Sequence, residues 1–431
     1  MNEPFEDADR LGDCPEGMAA CELGNTVWNF PSNQKQTLQE MKKIIATLVL
    51  AGSCIVIGVG AQEPARQPAI SLEEFTFSHP MTAINKVELA VVKQRIADKV
   101  EPQASAFAKL IRDADAAQSF KPDPPETMDI MGGYEPNTNQ ETLIRPWLWR
   151  NCHAAYCSAL AYAYTGQRKY ADKAVEVLNA WAAKKTVFTG HDRGLQLASW
   201  FSPMLYAADL LHDYDGWKRA DRERFNSWWR SNVLVHVREI IRTHGNNWKD
   251  AGLLGVLSAA AVLEDKALLK EGLDGLEDYF ETRTNRQGRV RSDFKIKKDQ
   301  RGVYLTREVG RNDGRSGITY TAYALTTMVQ ALEIARYSGR NLWHSQTAQG
   351  ATLQDVIEWY FRWDILKQPF AWNANPDRIP KRKNPYEIAN NHFKLMPEMA
   401  EWLKTNRPVN GEQGDEYVTL NKGDVPAPDE L

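Results

Sequence analysis

The chain is poor in cysteine, and what it has lies mostly near the N-terminus. Only five of its 431 residues are cysteine, and three of these precede residue 62. The other two, Cys152 and Cys157, stand five positions apart in one predicted helix. That spacing places them on different helix faces, which argues against a mutual disulfide. No group of cysteines and histidines has structural-zinc spacing, so we predict no metal and no other cofactor.

The chain also lacks a strong net charge. Its formal charge is −3, so attraction of an anionic partner would have to be local. A local bias exists from Arg283 to Arg315, where eleven Lys and Arg stand against four Asp and Glu. A solvated basic loop would have the same composition, although the position of this one favours contact with an anionic substrate. No nucleic-acid-binding motif accompanies the basic residues, so nucleic acid is not expected as a partner.

One apolar stretch, MKKIIATLVLAGSCIVIGVGA, occupies residues 41–61. Its basic start, apolar run and small-residue end predict a secretory signal peptide with cleavage before Gln62. Residues 1–40 are then interpreted as a non-native extension. Cys54 leaves a lipid anchor open as an alternative. We therefore expect an exported protein, periplasmic or extracellular, with no other membrane association.

From about Met81 to Asn406 the sequence is typical of one helix after another. Apolar residues recur at helical spacing, and a glycine follows several of the predicted helices, as at Thr165-Gly166. Several segments share a two-helix unit whose Ala-rich first helix permits close packing around a ring. We predict an all-α domain over residues 62–406, an (α/α) toroid or incomplete barrel of helical hairpins. A non-toroidal helical repeat is the alternative.

The predicted helices include Val87–Asp115, Gln196–Leu211 and Ile388–Trp402. Residues 287–309 alternate in polarity and include β-branched residues, which favours a short β-hairpin or an ordered loop. Residues 407–431 are polar and rich in proline, and we predict that they form a loose C-terminal tail.

The segment from Gly310 to Trp343 indicates chemistry most directly. It opens with arginines and an Asp-Gly turn signal, and it continues as a helix that carries Tyr320 and Tyr323. An arginine in such a loop can hold a carboxylate, and a tyrosine at the start of a buried helix can move a proton. The same pattern also fits a core helix whose tyrosines only pack.

Three motifs, taken in order, resemble signatures of the alginate lyase superfamily of polysaccharide lyases. They are YTGQRKYADKAVEVLNAW at residues 164–181, the Asn246-Asn247 pair in HGNNWKDAG, and Tyr320-Thr-Ala-Tyr323-Ala-Leu325. The similarity extends from about Pro146 to Phe393. It implies an (α/α) toroid that cleaves a polyuronate, alginate or glucuronan, by β-elimination to give 4,5-unsaturated uronate ends. The expected partner is thus an anionic polysaccharide.

The same resemblance assigns roles to individual residues. It implies that Tyr320 is the catalytic acid, and also the base, and that Asn247 binds the substrate carboxylate. The best-known branch has a histidine after the Asn pair, where this chain has Trp248, so His244 is the candidate replacement. That branch also has its arginine seven residues before the tyrosine. Asp313 occupies this position here, and the neighbouring Arg315 is the candidate instead.

Aromatic side chains stack on the apolar faces of sugar rings, and polar ones contact hydroxyl or carboxylate groups. The asparagines also fit simple helix capping, and most tryptophans of helical proteins pack in the core. The candidate substrate-binding residues are Asn246, Trp248, His153, Trp147, Trp149, Arg150, Arg311 and Tyr304.

Two other functions fit the sequence. A glycoside hydrolase can use the same fold, but it needs two opposed carboxylates, for which Glu308, Asp313 and Asp250 are candidates. A non-catalytic glycan-binding protein would keep the tryptophans and the basic loop without needing Tyr320. A rise in ultraviolet absorbance when the protein is mixed with a polyuronate discriminates between these functions. Only elimination creates a conjugated double bond, whereas hydrolysis and binding create none.

Overall fold

Helices form nearly all the regular structure of the residues that the computed structural model describes. Those residues are 72–278, 297–298, 304–305, 317–346, 352–368, 382–394, 396–409 and 415–426. The α-helices are, in chain order, α1 (Lys86–Ala97), α2 (Gln103–Ala117), α3 (Arg145–Thr165), α4 (Arg168–Lys184), α5 (Arg193–Trp200), α6 (Pro203–Leu210), α7 (Arg219–Trp228), α8 (Leu234–Thr243), α9 (Asn247–Val262), α10 (Lys266–Glu277), α11 (Gly317–Tyr337), α12 (Leu353–Asp364), α13 (Asn384–Ala389), α14 (Pro397–Asn406) and α15 (Val418–Lys422). Single π-helical turns, Gln140–Ile144 and Trp229–Val233, lead into α3 and α8.

The strands are short. β1 (Thr127–Asp129) and β2 (Val187–Thr189) pair in parallel, and neither strand was predicted. β3 (Lys297–Lys298) and β4 (Tyr304–Leu305) pair antiparallel, with Lys297 opposite Leu305. A short β-hairpin or an ordered loop was predicted near residues 287–309, and the antiparallel pairing of these four residues is what a hairpin would show.

The helices form two layers around a ring, which confirms the predicted (α/α) toroid. Helix α9 belongs to the inner layer, where all its residues except Trp248 and Lys249 are buried. Its glycines let α8 approach closely, since a Cβ on Gly252 would lie 2.4 Å from Ile241 Cγ2. The outer helix α4 instead buries one face, which packs on α3. Buried apolar surface on both layers supplies the main stabilisation of such a fold.

Contacts between inner helices follow the ring. Helix α6 packs on α3, α9 on α5 and α6, and α11 on α9. The ring continues through α13 to α15, which contacts both α1 and α2, and α2 returns to α3. The C-terminal helix α15 therefore closes the ring against the N-terminal helices.

The structure differs here from the predicted loose tail. Every residue of α15 is buried, and so is Asp415. Lys422 explains the difference, because its charge is matched inside the protein. Its Nζ lies 2.6 Å from Glu88 Oε2 and 2.7 Å from Glu333 Oε2. A polar composition predicts exposure only when the charges have no buried partners.

Glu88, Glu333, Arg336 and Lys422 form what we term the ring-closing cluster. Arg336 bonds to both carboxylates, through Nη2 to Glu88 and through Nε to Glu333 Oε1 at 3.0 Å. All four side chains are buried, and two positive charges face two negative ones. Burial disfavours a charged Glu333, yet Lys422, Arg336 and His392 together hold the pKa of this carboxyl well below its usual range. The cluster joins α1, α11 and α15.

Prolines divide the predicted long helices. The predicted helix Val87–Asp115 is two helices, and Pro102 is the residue that caps the second. Pro203 likewise begins α6, and Pro397 begins α14. Proline lacks an amide N–H and its ring clashes with the preceding turn, so it is accepted at a helix start and not inside a helix.

Cys152 and Cys157 are buried, free thiols, as predicted. None of the helices in the described residues is long and apolar enough to cross a membrane. The predicted signal peptide and Cys54 lie outside the described residues.

Candidate active site

The N-terminus of α9 carries the asparagine pair. Asn246 is the capping residue, and its Oδ1 accepts a hydrogen bond from the Trp248 amide at 3.1 Å. Asn247 is the first helical residue and is only 4% exposed. The capping interpretation therefore applies to Asn246, while Asn247 is a buried residue of the first helical turn. The end of a helix where the amides point outwards is electropositive and favours anions.

Two histidines flank the ring of Trp248. His244, which ends α8, stacks on the indole with ring centroids 4.2 Å apart and an interplanar angle of 17°. His191 approaches the same indole edge-on, with centroids 5.9 Å apart. Trp248 is half-buried, and His191 is exposed. The three rings form an aromatic cluster beside Asn247, in which His244 covers one face of the indole.

His244 is held as a neutral imidazole with one defined tautomer. Burial, and secondly the nearby His191, lower its pKa below the usual value of 6.5. Its Nδ1 lies 2.9 Å from Thr243 Oγ1, and that hydroxyl donates to the Glu239 carbonyl at 2.8 Å. Because a hydroxyl has one proton, the Nδ1–H of His244 is the donor to Thr243. The Nε2 lone pair is then able to accept a proton.

Asp192 connects this aromatic cluster to the loop before α3. Its Oδ1 lies 2.6 Å from His191 Nδ1, while its Oδ2 accepts from Gln140 Nε2 at 2.7 Å and from the Gly133 amide at 2.9 Å. The carboxylate is buried, and its three hydrogen-bond partners are His191, Gln140 and the Gly133 amide. It fixes the start of the loop that carries Tyr134.

Tyr134 brings that loop to the predicted catalytic tyrosine. The hydroxyls of Tyr134 and Tyr320 are in hydrogen-bond contact. Tyr134 is 79% exposed, and Tyr320 is half-buried in the first turn of α11. Tyr323 lies one turn further along, its ring centroid 6.1 Å from that of Tyr320. The guanidinium of buried Arg382 lies 3.7 Å above the Tyr323 ring, so this tyrosine packs against a cation.

A second aromatic surface lies on α3. Trp149 stacks on His153 with centroids 4.9 Å apart, and the indole is 41% exposed. Glu416 orients both, since its Oε2 lies 2.6 Å from His153 Nδ1 and its Oε1 accepts from the Trp149 indole N–H. Arg145, one turn before Trp149, hydrogen-bonds to Gln140 and thereby connects this surface to Asp192.

The other predicted site residues are placed less favourably or are not described. Trp147 is partly buried and packs on the core. Arg150 is exposed, and its Nε donates to the Pro146 carbonyl at 3.3 Å. Tyr304 belongs to β4, but its side chain is not among those described. Arg311 and Arg315 lie outside the described residues, as do Glu308 and Asp313, while Asp250 is buried in the first turn of α9.

Several residues of this site could not be found by sequence reasoning. They stand in no motif and reach the site only through the folding of distant segments: Tyr134, His191, Asp192, Arg382 and Glu416. The sequence offered one indirect signal, the adjacent pair of His191 and Asp192 directly before α5.

A toroidal helical enzyme with an electropositive helix end, a tyrosine and aromatic surfaces is suited to an anionic polysaccharide. Comparison with known families agrees: the family described as alginate lyase matches residues 95–372. The chain belongs to the alginate lyase family and is a polysaccharide lyase. Comparison with curated proteins gave no match.

Solved structures show the same fold. Alginate lyase A1-III from Sphingomonas species A1 has 15% identity and a TM-score of 0.61, covering 81% of this chain and 98% of that one. A histidine-to-alanine variant of A1-III, complexed with a tetrasaccharide, has 14% identity and a TM-score of 0.61, covering 84% and 98%. An alginate lyase from Bacteroides ovatus has 18% identity and a TM-score of 0.50, covering 70% and 87%.

Proposed function

We propose that this polysaccharide lyase cleaves alginate by β-elimination and leaves 4,5-unsaturated uronate ends. Membership of the family supports the substrate, as does the tetrasaccharide bound by the similar A1-III variant. The observation that carries the chemistry is the placement of Tyr320. It is half-buried, in the first turn of α11, and its hydroxyl contacts a tyrosine from the loop that Asp192 anchors.

Elimination from a uronate requires three things. The enzyme must offset the carboxylate charge, remove the proton at C5 and protonate the oxygen that leaves from C4. When the C5 proton and the C4 oxygen lie on one face of the sugar, one phenolic oxygen can do both transfers. Tyr320 takes this role in our proposal, and Tyr134 holds its hydroxyl in position.

We propose that the carboxylate of the substrate uronate binds at the N-terminus of α9. Asn247 can donate its amide N–H to a carboxylate oxygen, and the helix end adds favourable potential. Arg315 completes the carboxylate site in this proposal, because the arginine loop directly precedes α11 in the sequence. Charge grows on the carboxylate as C5 loses its proton, so these groups stabilise the transition state more than the ground state.

His244 supplies a second proton acceptor. Its Nε2 has a lone pair, and its lowered pKa keeps the ring neutral at pH 7. It can therefore remove the C5 proton from a uronate whose C4 oxygen lies on the face of the sugar opposite that proton. Trp248 and Trp149 provide stacking surfaces for sugar rings on either side.

The test is an absorbance assay of the purified enzyme on mannuronate-rich alginate, guluronate-rich alginate and glucuronan. Conjugated double bonds should form on at least one alginate. Formation on glucuronan alone would contradict the substrate, and release of reducing ends without new absorbance would identify a hydrolase. We also propose export through residues 41–61, which predicts a secreted protein whose N-terminus is Gln62 by terminal sequencing.

A further inference from the structure

Three side chains of metal-ligand type meet at the other end of α9. His79 precedes α1, His212 follows α6, and Glu264 lies in the turn after α9, with their ligand atoms all within 4.8 Å of one another. We term this the distal cluster. Asn247 begins α9, which has 16 residues, so about 24 Å of helix separates the distal cluster from the candidate active site.

The tautomer of His79 is fixed by Asp209. His79 Nδ1 lies 2.6 Å from Asp209 Oδ1, and Asp209 Oδ2 accepts from the amides of Met81 and Thr82 at 2.7 and 2.8 Å. A carboxylate that receives these donors acts as an acceptor, so His79 Nδ1 carries the proton. The lone pair of a neutral His79 is then on Nε2, which lies 3.4 Å from Glu264 Oε1.

His212 repeats the arrangement. Its Nδ1 lies 2.8 Å from Asp213 Oδ1, and its Nε2 lies 3.9 Å from Glu264 Oε1. The rings of His79 and His212 are stacked, with centroids 3.8 Å apart and an interplanar angle of 9°. The Nε2 atoms of two imidazoles therefore face one carboxylate. Positive charge between these atoms stabilises the arrangement, and either protons on Nε2 or a bound metal ion supply it.

We propose that His79 Nε2, His212 Nε2 and Glu264 bind a divalent transition-metal ion of the Zn²⁺ type. Two imidazoles and one carboxylate are a donor set that Zn²⁺ accepts, with water in the remaining position. Metal-bound histidines usually donate their other N–H to a carboxylate, and Asp209 and Asp213 receive those N–H groups here.

The separations are close to those required. Tetrahedral zinc with bonds of about 2.0–2.1 Å places its ligand atoms roughly 3.4 Å apart. His79 Nε2 and Glu264 Oε1 already have the required separation, at 3.4 Å. His212, whose side chain is 30% exposed, must tilt out of the ring stack to bring its Nε2 closer than 3.9 Å.

The ion would be structural and not catalytic. It would connect three segments that are distant in sequence: the lead-in to α1, the end of α6 and the turn between α9 and α10. Glu264 has a φ of 49°, a left-handed conformation that favours glycine. A glycine would relieve this conformation but would remove the carboxylate from the cluster.

The experiment uses the full chain without an affinity tag, treated with EDTA and dialysed into metal-free buffer. Titration with ZnCl₂ in a calorimeter should give one ion per chain, and the ion should raise the Tm by several degrees. Co²⁺ in place of Zn²⁺ should show the visible d–d bands of a tetrahedral site.

Two variants locate the site without disturbing the core. Glu264→Gln and His212→Gln replace side chains that are 54% and 30% exposed. Each should weaken Zn²⁺ binding by at least about tenfold and abolish the rise in Tm. The controls Glu271→Gln and His236→Gln remove a carboxylate and an imidazole outside the cluster and should bind Zn²⁺ like the wild type. Absence of stoichiometric binding to the wild type, or unchanged binding in both cluster variants, overturns the proposal.

Discussion

The ring-closing cluster and the candidate active site both bring ionisable side chains together, but they are built in opposite ways. In the ring-closing cluster every charge is buried and opposed by another charge. At the active site Tyr320 and Trp248 are half-buried, His191 is exposed, and His244 is held neutral. Complete burial and pairing hold the ring together, whereas partial exposure leaves groups able to meet a substrate. Substitutions should therefore affect stability at one place and turnover at the other.

Tyr320→Phe should have the largest effect on turnover. Loss of the phenolic oxygen removes the proposed proton carrier, so kcat should fall by about a thousandfold or more, with an unchanged Tm. The matched control is Tyr323→Phe, which keeps a ring beneath Arg382. It should retain most of the activity. Elimination at a near-normal rate by the Tyr320 variant would remove this residue from the mechanism.

Lys422→Met should have the largest effect on stability. It leaves Glu88 and Glu333 buried with Arg336 as their remaining strong cation, which should lower the free energy of unfolding by roughly 3–5 kcal/mol. Turnover per folded molecule should be unchanged at 25 °C. Denaturant unfolding measures the first quantity and the absorbance assay the second.

Lys404→Met is the matched control for that stability prediction. The Lys404 side chain is 70% exposed and pairs with Glu401 at 3.5 Å. An exposed pair of this kind contributes about 1 kcal/mol or less. If both lysine variants lose similar stability, the ring-closing cluster has no special role.

Asn247→Ala should lower kcat by about a hundredfold and change KM much less. The reason is that its amide would stabilise charge that develops on the carboxylate in the transition state. Asn246→Ser keeps an oxygen that can cap α9 and should lower kcat far less. Steady-state kinetics on alginate measures both variants, and an effect confined to KM would reduce Asn247 to a binding residue.

His244→Gln should lower kcat/KM at pH 7 only for a uronate whose leaving oxygen lies on the face opposite its C5 proton, and it should change the pH profile on that substrate. The wild-type pKa lies below 6.5, so His244 is neutral at pH 7 and loses its Nε2 lone pair only in more acidic solution. The wild-type kcat/KM should therefore fall on the acid side of pH 6.5, and the variant should lack that decline.

His236→Gln provides the comparison for the pH profile. Burial, followed by Arg193, lowers the pKa of His236 as well, but this ring bonds to Arg193 through Nδ1 at 2.9 Å. Its variant should keep the acid decline. An identical decline in the His244 variant would show that another group titrates.

The toroid could be predicted from the sequence because the inner helices are marked by local features. Helix α9 is apolar around its circumference and contains Gly252, and the asparagine pair stands at its start. Even the divisions at Pro102 and Pro203 were visible in the sequence, although the predicted helices ran across them. Local spacing of this kind needs no knowledge of the rest of the chain.

The remaining features depend on distant pairings, for which one sequence gives no signal. Lys422 and Glu88 are 334 positions apart, so the burial of α15 could not be foreseen from its polar composition. Tyr134 reaches Tyr320 across 186 positions. The expectation of no metal rested on local ligand spacing, which cannot detect a cluster such as His79 with Glu264, 185 positions apart.

Closure of the ring by α15 has a consequence for how the protein is made. Glu88 and Lys422, which lie near opposite ends of the folded domain, must meet before the buried charges are neutralised. During synthesis the emerging helices can pair with their neighbours, but Glu88 and Glu333 stay without this partner until residue 422 has left the ribosome. Contacts between such distant residues also slow folding, because a long loop must close first. Complete pairing of the buried charges thus requires the two ends of the domain to meet.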